Sequence, residues 1–204
     1  MRRERLFLAR PLNLASRLVL LLGVAFLIGS FFFPLWQIRL VAPQYRDGLE
    51  LKVYSYELRA GNNGQHLDEI NLLNHYIGMK PIQQADFVEM TWIPFAVGLF
   101  VLLTLRATVF GRMGNLVDLF MLFSYFGLFS MANFYYRLYT YGHDLDPKAA
   151  MTIEPFVPVI IGKNQIANFT QYSYPMTGSY LFLGFVLVLL FAAWLSRKEK
   201  TLVE

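Results

Sequence analysis

Long apolar runs, separated by two polar segments, dominate this chain. The runs cover residues 14–36, 90–110, 116–136 and 178–195. Each comes close to the roughly twenty residues that cross about 30 Å of hydrocarbon as a helix. The pattern therefore predicts an all-α membrane protein with four transmembrane helices, built as a single integral-membrane domain over residues 1–204.

The two polar segments, 37–89 and 137–177, are expected to fold outside the bilayer. In the first of them, Leu49, Leu51 and Val53 alternate with charged residues, which is typical of a strand. We therefore predict that these segments contain some β structure.

A short helix is predicted within the stretch 67–81, which reads LDEINLLNHYIGMKP. Its apolar residues recur at helical spacing, and Asp68 or Glu69 suits the first turn. Gly78 can end the helix in a left-handed conformation, and Pro81 prevents its continuation. The stretch is expected to form a small ordered element beside the membrane.

Basic residues predict the orientation. Arginines crowd the segment before the first run, Arg112 lies in the turn between the second and third runs, and Arg197 and Lys198 follow the fourth. Because basic residues favour the cytoplasmic side, both termini are predicted to be cytoplasmic, and the polar segments to be periplasmic loops of a bacterial inner-membrane protein. The net charge of +4 reflects this asymmetry, so no nucleic-acid partner is expected.

Composition supports this class and excludes others. Apolar residues make up 56% of the chain and charged residues only 16%, whereas soluble domains are about one quarter charged. There is no cysteine, which excludes disulfides, thiolate metal sites and thiol catalysis.

The candidate metal is copper. His66, His75 and His143 all fall in the predicted outer segments, as does Met79, and histidine with methionine suits copper in an oxidising compartment. His75 and Met79 are four residues apart and are the candidate ligands, although a helix that ends at Gly78 would not carry both on one face. Three roles remain open for His75: a metal ligand, a contact beside a partner's metal site, or an ordinary structural residue. No other cofactor is assigned.

Two stretches are predicted to bind a partner, because exposed apolar surface beside a membrane usually meets a protein or lipid. One is LNHYIGMKP and the other is PFVPVIIGKNQIANF. The apolar loop in the second stretch is an edge strand, a membrane-lying loop or a partner surface. The predicted contact residues are Asn74, His75, Tyr76, Met79, Phe156, Val157, Ile160, Ile161, Asn168 and Phe169.

These stretches also carry a resemblance. PQYRDGLELKVY, INLLNHYIGM and IGKNQIANFTQYSYP resemble the small multispanning membrane protein encoded beside nitrous-oxide reductase in atypical (clade II) gene clusters. The resemblance implies a membrane protein that supports respiratory reduction of N₂O by docking, anchoring or maturing the periplasmic copper enzyme. It supplies no catalytic residues.

The leading hypothesis is a non-catalytic accessory subunit that binds a periplasmic copper respiratory enzyme, nitrous-oxide reductase, through its outer loops. The first alternative is a copper-handling or maturation protein with its own His/Met site. The second is an accessory subunit of a quinol-linked respiratory complex.

Overall fold

The computed structural model describes residues 7–166 and 168–199. It is about 56% helical and contains a five-stranded antiparallel sheet. Residues 1–6 and 200–204, which carry part of the predicted cytoplasmic charge, lie outside the described residues. The elements follow in chain order: α1 Leu14–Gly29, β1 Trp36–Ala42, β2 Tyr45–Val53, β3 Leu58–Ala60, α2 Gln65–Tyr76, α3 Glu89–Phe110, α4 Met113–His143, β4 Gly162–Ile166, β5 Phe169–Pro175 and α5 Thr177–Leu195.

Within the described ranges, three helices are long and apolar enough to cross a membrane: α3, α4 and α5. They indicate a membrane protein. The predicted runs 90–110 and 178–195 match α3 and α5 to within one residue at each end. The predicted run 116–136 is too short, because α4 extends over 31 residues from Met113 to His143. The first seven residues of the predicted outer segment 137–177 are therefore helical.

The prediction of one helix over residues 14–36 is wrong. Helix α1 has only 16 residues and ends at Gly29, where Ser30 caps it and the next residues form tight turns. Pro34 follows, and its missing N–H cannot continue a helical hydrogen-bond ladder. Trp36 already begins strand β1. The aromatic residues before it therefore link a helix to a sheet.

The helices pack around a core of buried leucines and phenylalanines. Phe123 of α4 lies at its centre, with ring centroids 4.7 Å from Phe185 and 5.0 Å from Phe100. Helix α1 packs on α3 and α5. Gly23 permits the close approach of α1 to α5, because a Cβ there would lie 3.1 Å from Phe185 and Val188.

Serine residues join the N-terminal end of α1 to the C-terminal end of α5. The hydroxyl of Ser16 is 2.7 Å from that of Ser196 and donates to the Ala192 carbonyl at 2.8 Å. The backbone N–H of Asn13 donates to Ser196. Hydrogen bonds of this kind stabilise helix pairs where water is excluded.

The sheet has the strand order β3-β2-β1-β5-β4, with every neighbouring pair antiparallel. The all-α prediction therefore describes the helices but not this layer, and the expected β structure is more extensive than the pattern in residues 48–58 indicated. Strand β1 lies at the centre, where Leu40 faces Leu49 on one side and Gln171 on the other. The sheet thus joins the two predicted outer segments into one unit.

Helix α2 covers one face of the sheet, the face that bears Leu40 and Leu51, which we name the inner face. Ile70, Leu73 and Ile77 pack with Leu40, Leu51 and other strand residues in a second buried core. His66 fixes the start of α2, because its Nδ1 accepts the backbone N–H of Glu50 at 3.0 Å. His66 is therefore a structural residue.

Candidate functional site

The C-terminus of α2 determines where the side chains of the LNHYIGM stretch lie. Gly78 has φ +79°, and the backbone N–H of Met79 donates to the Asn74 carbonyl at 2.8 Å. The N–H of Gly78 donates to the His75 carbonyl at 3.2 Å. This is the Schellman motif that glycine favours at a helix end. The predicted stop at Gly78 is confirmed, and Met79 lies beyond the helix.

The loop that follows α4 packs on this helix end. The N–H of Asp146 donates to the Gly78 carbonyl at 2.8 Å, and that of Met151 donates to the Tyr76 carbonyl at 2.9 Å. An ion pair between Lys80 and Asp144 closes the same junction. The hydrogen bond and the negative charge of Asp144 raise the pKa of the exposed Lys80 ammonium. The loop 144–151 is therefore fixed to the end of α2. The two stretches that were singled out in the sequence also meet, because Phe156 and Phe169 of the second stretch pack in one buried cluster with Ile77 of the first.

An exposed contact surface results from this junction. Leu72, His75 and Tyr76 are exposed at i, i+3 and i+4 on α2, which places them on one helix face. The backbone of Met151, whose side chain is also exposed, is bonded to Tyr76. We name Leu72, His75, Tyr76 and Met151 the outer contact surface.

The predicted contact residues divide by burial. His75, Tyr76, Ile161 and Asn168 are exposed. Asn74 and Phe169 are 3% and 6% exposed, so the structure presents neither side chain at the surface for a direct contact. The others are half-buried: Met79, Phe156, Val157 and Ile160. Residues 152–159 form an irregular loop, so the edge strand begins only at Gly162.

The predicted metal pair does not converge. His75 is exposed on α2, whereas Met79 packs against the buried core beneath that helix. His143 lies at the end of α4, stacked on Tyr139 with ring centroids 3.8 Å apart. Among the described residues, no group of three or more His, Cys, Asp or Glu side chains is arranged to hold a metal ion.

A large cavity lies beneath the inner face of the sheet. Its volume is about 720 Å³, and it extends from strands β1, β2 and β5 to the facing ends of α3, α4 and α5. At one end it meets Leu40 and Phe169, and at the other Phe126, Phe182 and Val186. Ligand pockets commonly have 300–1,000 Å³ and a mostly apolar lining of this kind.

The wall of this cavity is partly open on the side of α4 and α5. Leu128, Met131 and Leu183 line the cavity and are also exposed. These residues lie on α4 and α5, two of the three described helices that are long and apolar enough to cross a membrane. A molecule dissolved in the bilayer would therefore reach the cavity sideways, between α4 and α5.

One charged pair lies in the cavity wall. The Nε of Arg137 donates to Glu89 at 3.0 Å, and a second guanidinium nitrogen donates to the other carboxylate oxygen at 3.4 Å. Asn133 also donates to Glu89, and the Arg137 guanidinium lies 5.8 Å from the centroid of the Phe87 ring. The carboxylate and the guanidinium neutralise one another, so the pair adds no net charge to the cavity.

Three buried polar atoms in the same cavity have no hydrogen-bond partner among the described residues. They are Asn74 Nδ2, Gln171 Oε1 and Ser130 Oγ. Asn74 and Gln171 are each only 3% exposed. Buried polar groups in native proteins usually have a partner, so each of these atoms requires an explanation.

Sequence reasoning missed this cavity and, apart from Asn74, its unpartnered and charged residues. Glu89 and Arg137 lie 48 positions apart, and Gln171 is on a strand that the pattern did not predict. A usable signal was present: an acid, Glu89, immediately precedes one apolar run, and a base, Arg137, immediately follows the next. Ionisable residues at membrane depth commonly pair with one another.

Comparison with known proteins identifies no relative: no family model, no curated protein and no solved structure matches the chain.

Proposed function

We propose that this protein is a non-catalytic membrane subunit that docks a periplasmic copper respiratory enzyme, nitrous-oxide reductase, onto the membrane. The observation that carries the proposal is the outer contact surface, a group of exposed side chains that includes His75, on the unit formed by the sheet and α2, which we name the outer unit. The identity of the partner rests on the resemblance of the outer-loop motifs to the protein encoded beside that reductase.

The arrangement of the outer unit suits docking. Its sheet is covalently continuous with α1 and α5, and Trp36 at the base of β1 donates to Ser173 of β5 at 2.8 Å. The contact surface lies on α2, which is fixed to the sheet through a buried core. A surface held in one conformation binds a partner with little loss of side-chain and loop entropy.

The proposed topology places both termini in the cytoplasm and the sheet in the periplasm of the inner membrane. In this arrangement α1, α3, α4 and α5 all cross the bilayer. Helix α1, with 16 residues, spans about 24 Å at 1.5 Å per residue. The turns that follow it, up to Trp36, provide the remaining depth at the outer boundary.

The docking role has more support than metal handling by this chain. Copper transfer through His75 and Met79 would need both side chains at one point, whereas one is exposed and the other packs inward. An exposed His75 fits better as a contact residue next to a partner.

Co-purification from the native membrane tests the proposal. The chain carries a C-terminal affinity tag, and the eluate is analysed for copper and by mass spectrometry. We expect nitrous-oxide reductase in a near-stoichiometric amount, and at least a tenfold loss of it in Tyr76→Ala combined with Leu72→Ser. The matched control is Tyr174→Ala, because Tyr174 is similarly exposed, 46% against 52% for Tyr76, but lies on the opposite face of the sheet.

Two results would count against the proposal. The tagged protein eluting alone, while the reductase stays soluble, would remove the docking function. Retention of the reductase in the Tyr76 variant with its loss in Tyr174→Ala would place the contact on the outer face of the sheet.

A further inference from the structure

The cavity beneath the sheet has the polarity of a binding site for an amphiphile. Its membrane end is lined by aromatic and aliphatic side chains, including Phe126, Phe182 and Val186. Its outer end contains Asn74 and Gln171, which hold an unpartnered donor and an unpartnered acceptor among the described residues. A ligand with a long apolar chain and a hydrogen-bonding head would match both ends.

The charges narrow the class of head group. The only ionised groups among the described residues of the lining are Glu89 and Arg137, and these two are bound to one another. A phosphate or carboxylate head would have to break this pair or enter without a counter-ion, which is costly in a low-dielectric site. The site therefore favours an uncharged head.

We propose that this cavity binds a membrane-soluble quinone or its quinol, with the ring at Asn74 and Gln171 and the prenyl chain between α4 and α5. A quinone carbonyl would accept from Asn74 Nδ2, and a quinol hydroxyl would donate to Gln171 Oε1. The lateral opening at Leu128, Met131 and Leu183 provides the entry from the bilayer. The proposal concerns binding alone and includes no electron transfer.

The position of Trp36 makes binding measurable. Trp36 lines the cavity, whereas Trp92 and Trp194 are absent from its described lining. The combined variant Trp92→Phe with Trp194→Phe leaves Trp36 as the single reporter. Decylubiquinone and a short-chain menaquinone are titrated into this variant in nanodiscs, and quenching of Trp36 fluorescence is recorded. We expect saturable quenching at one quinone per protein.

Two glycines provide a matched pair of variants. Gly127 lines the cavity on α4, whereas Gly98 on α3 does not, and a Cβ at either position meets nothing within 4 Å. Gly127→Leu fills the cavity and is expected to weaken quinone binding at least tenfold. Gly98→Leu is expected to leave the affinity within twofold of that of the parent.

A second variant tests the polar end. Gln171→Leu removes an unpartnered acceptor, so it is expected to fold at least as stably as the parent without quinone, because an unsatisfied buried group is itself destabilising. It is expected to bind the quinol about fivefold to tenfold more weakly, which is the effect of losing about one hydrogen bond.

The proposal is overturned if quenching does not saturate, or if Gly127→Leu and Gly98→Leu bind quinone equally. It is also overturned if dioleoylglycerol or phosphatidylglycerol displaces decylubiquinone at equal concentration, because the cavity would then be a site for bilayer lipid. Extraction of the natively purified protein with organic solvent provides an independent readout, and we expect about one quinone per chain.

Discussion

The backbone N–H of Met79 donates to the carbonyl oxygen of Asn74 across a distance of 2.8 Å. This bond ends α2 and separates two residues that an uninterrupted helix would place on one face. His75 stays on the exposed face of α2, while Met79 packs inward against the second core. The helix end therefore favours a contact role for His75 over a shared ligand site.

Gly78→Ala is expected to destabilise the outer unit. The position has φ +79°, and a Cβ would lie 2.8 Å from the Asp146 carbonyl oxygen. Left-handed strain and the backbone clash together predict a loss of about 2–4 kcal/mol in the free energy of unfolding. Gly64→Ala is the control: its φ is +96° with nothing within 4 Å, so only the strain of about 1 kcal/mol applies. Chemical denaturation monitored by circular dichroism compares them, and equal losses would contradict the predicted clash.

Arg137→Gln is expected to lower stability by about 1–3 kcal/mol, because it leaves the half-buried Glu89 carboxylate without its counter-charge. The combined variant Glu89→Gln with Arg137→Gln removes both charges and is expected to recover at least half of the loss. Thermal unfolding in detergent measures the three proteins. A combined variant less stable than Arg137→Gln would show that the pair itself is strongly stabilising.

Copper binding provides a separate prediction. Because His75 and Met79 do not converge, competition with a chromogenic Cu(I) chelator is expected to show no stoichiometric site in the isolated protein. The variants His75→Ala and Met79→Ala are expected to behave like the parent. One bound Cu(I) per chain that both substitutions abolish would support the copper-handling alternative.

Single cysteines can test the proposed topology, since the chain has none of its own. Lys163 lies on the edge strand β4, Arg112 lies in the turn between α3 and α4, and both are exposed. In intact spheroplasts, a membrane-impermeant maleimide is expected to label Lys163→Cys directly and Arg112→Cys only after permeabilisation. The opposite labelling pattern would invert the proposed orientation.

Local sequence signals predicted the local parts of the fold. The apolar runs 90–110 and 178–195 gave two helices almost to the residue, and Gly78 gave the end of α2. These features depend on neighbouring residues: an apolar run has to satisfy its own backbone within lipid, and a left-handed turn requires glycine.

Non-local features were not predictable in the same way. Strand β5 pairs with β1, so that Trp36 lies opposite Pro175, and no short pattern in either segment indicates this partner. The run 14–36 was predicted as one helix because hydropathy alone does not separate apolar residues that end a helix from apolar residues that begin a strand. The cavity is lined by side chains from all five strands and from α2, α3, α4 and α5, so only the assembled fold reveals it.

Site-specific photo-crosslinking at the outer contact surface tests the docking role most directly. A benzoylphenylalanine replaces Tyr76 in one strain and Tyr174 in another, and intact cells that respire N₂O are irradiated. The account predicts a covalent adduct between the position-76 protein and nitrous-oxide reductase, and none from position 174. An adduct from position 174 alone, or no adduct with the reductase from either position at matched expression, would contradict it.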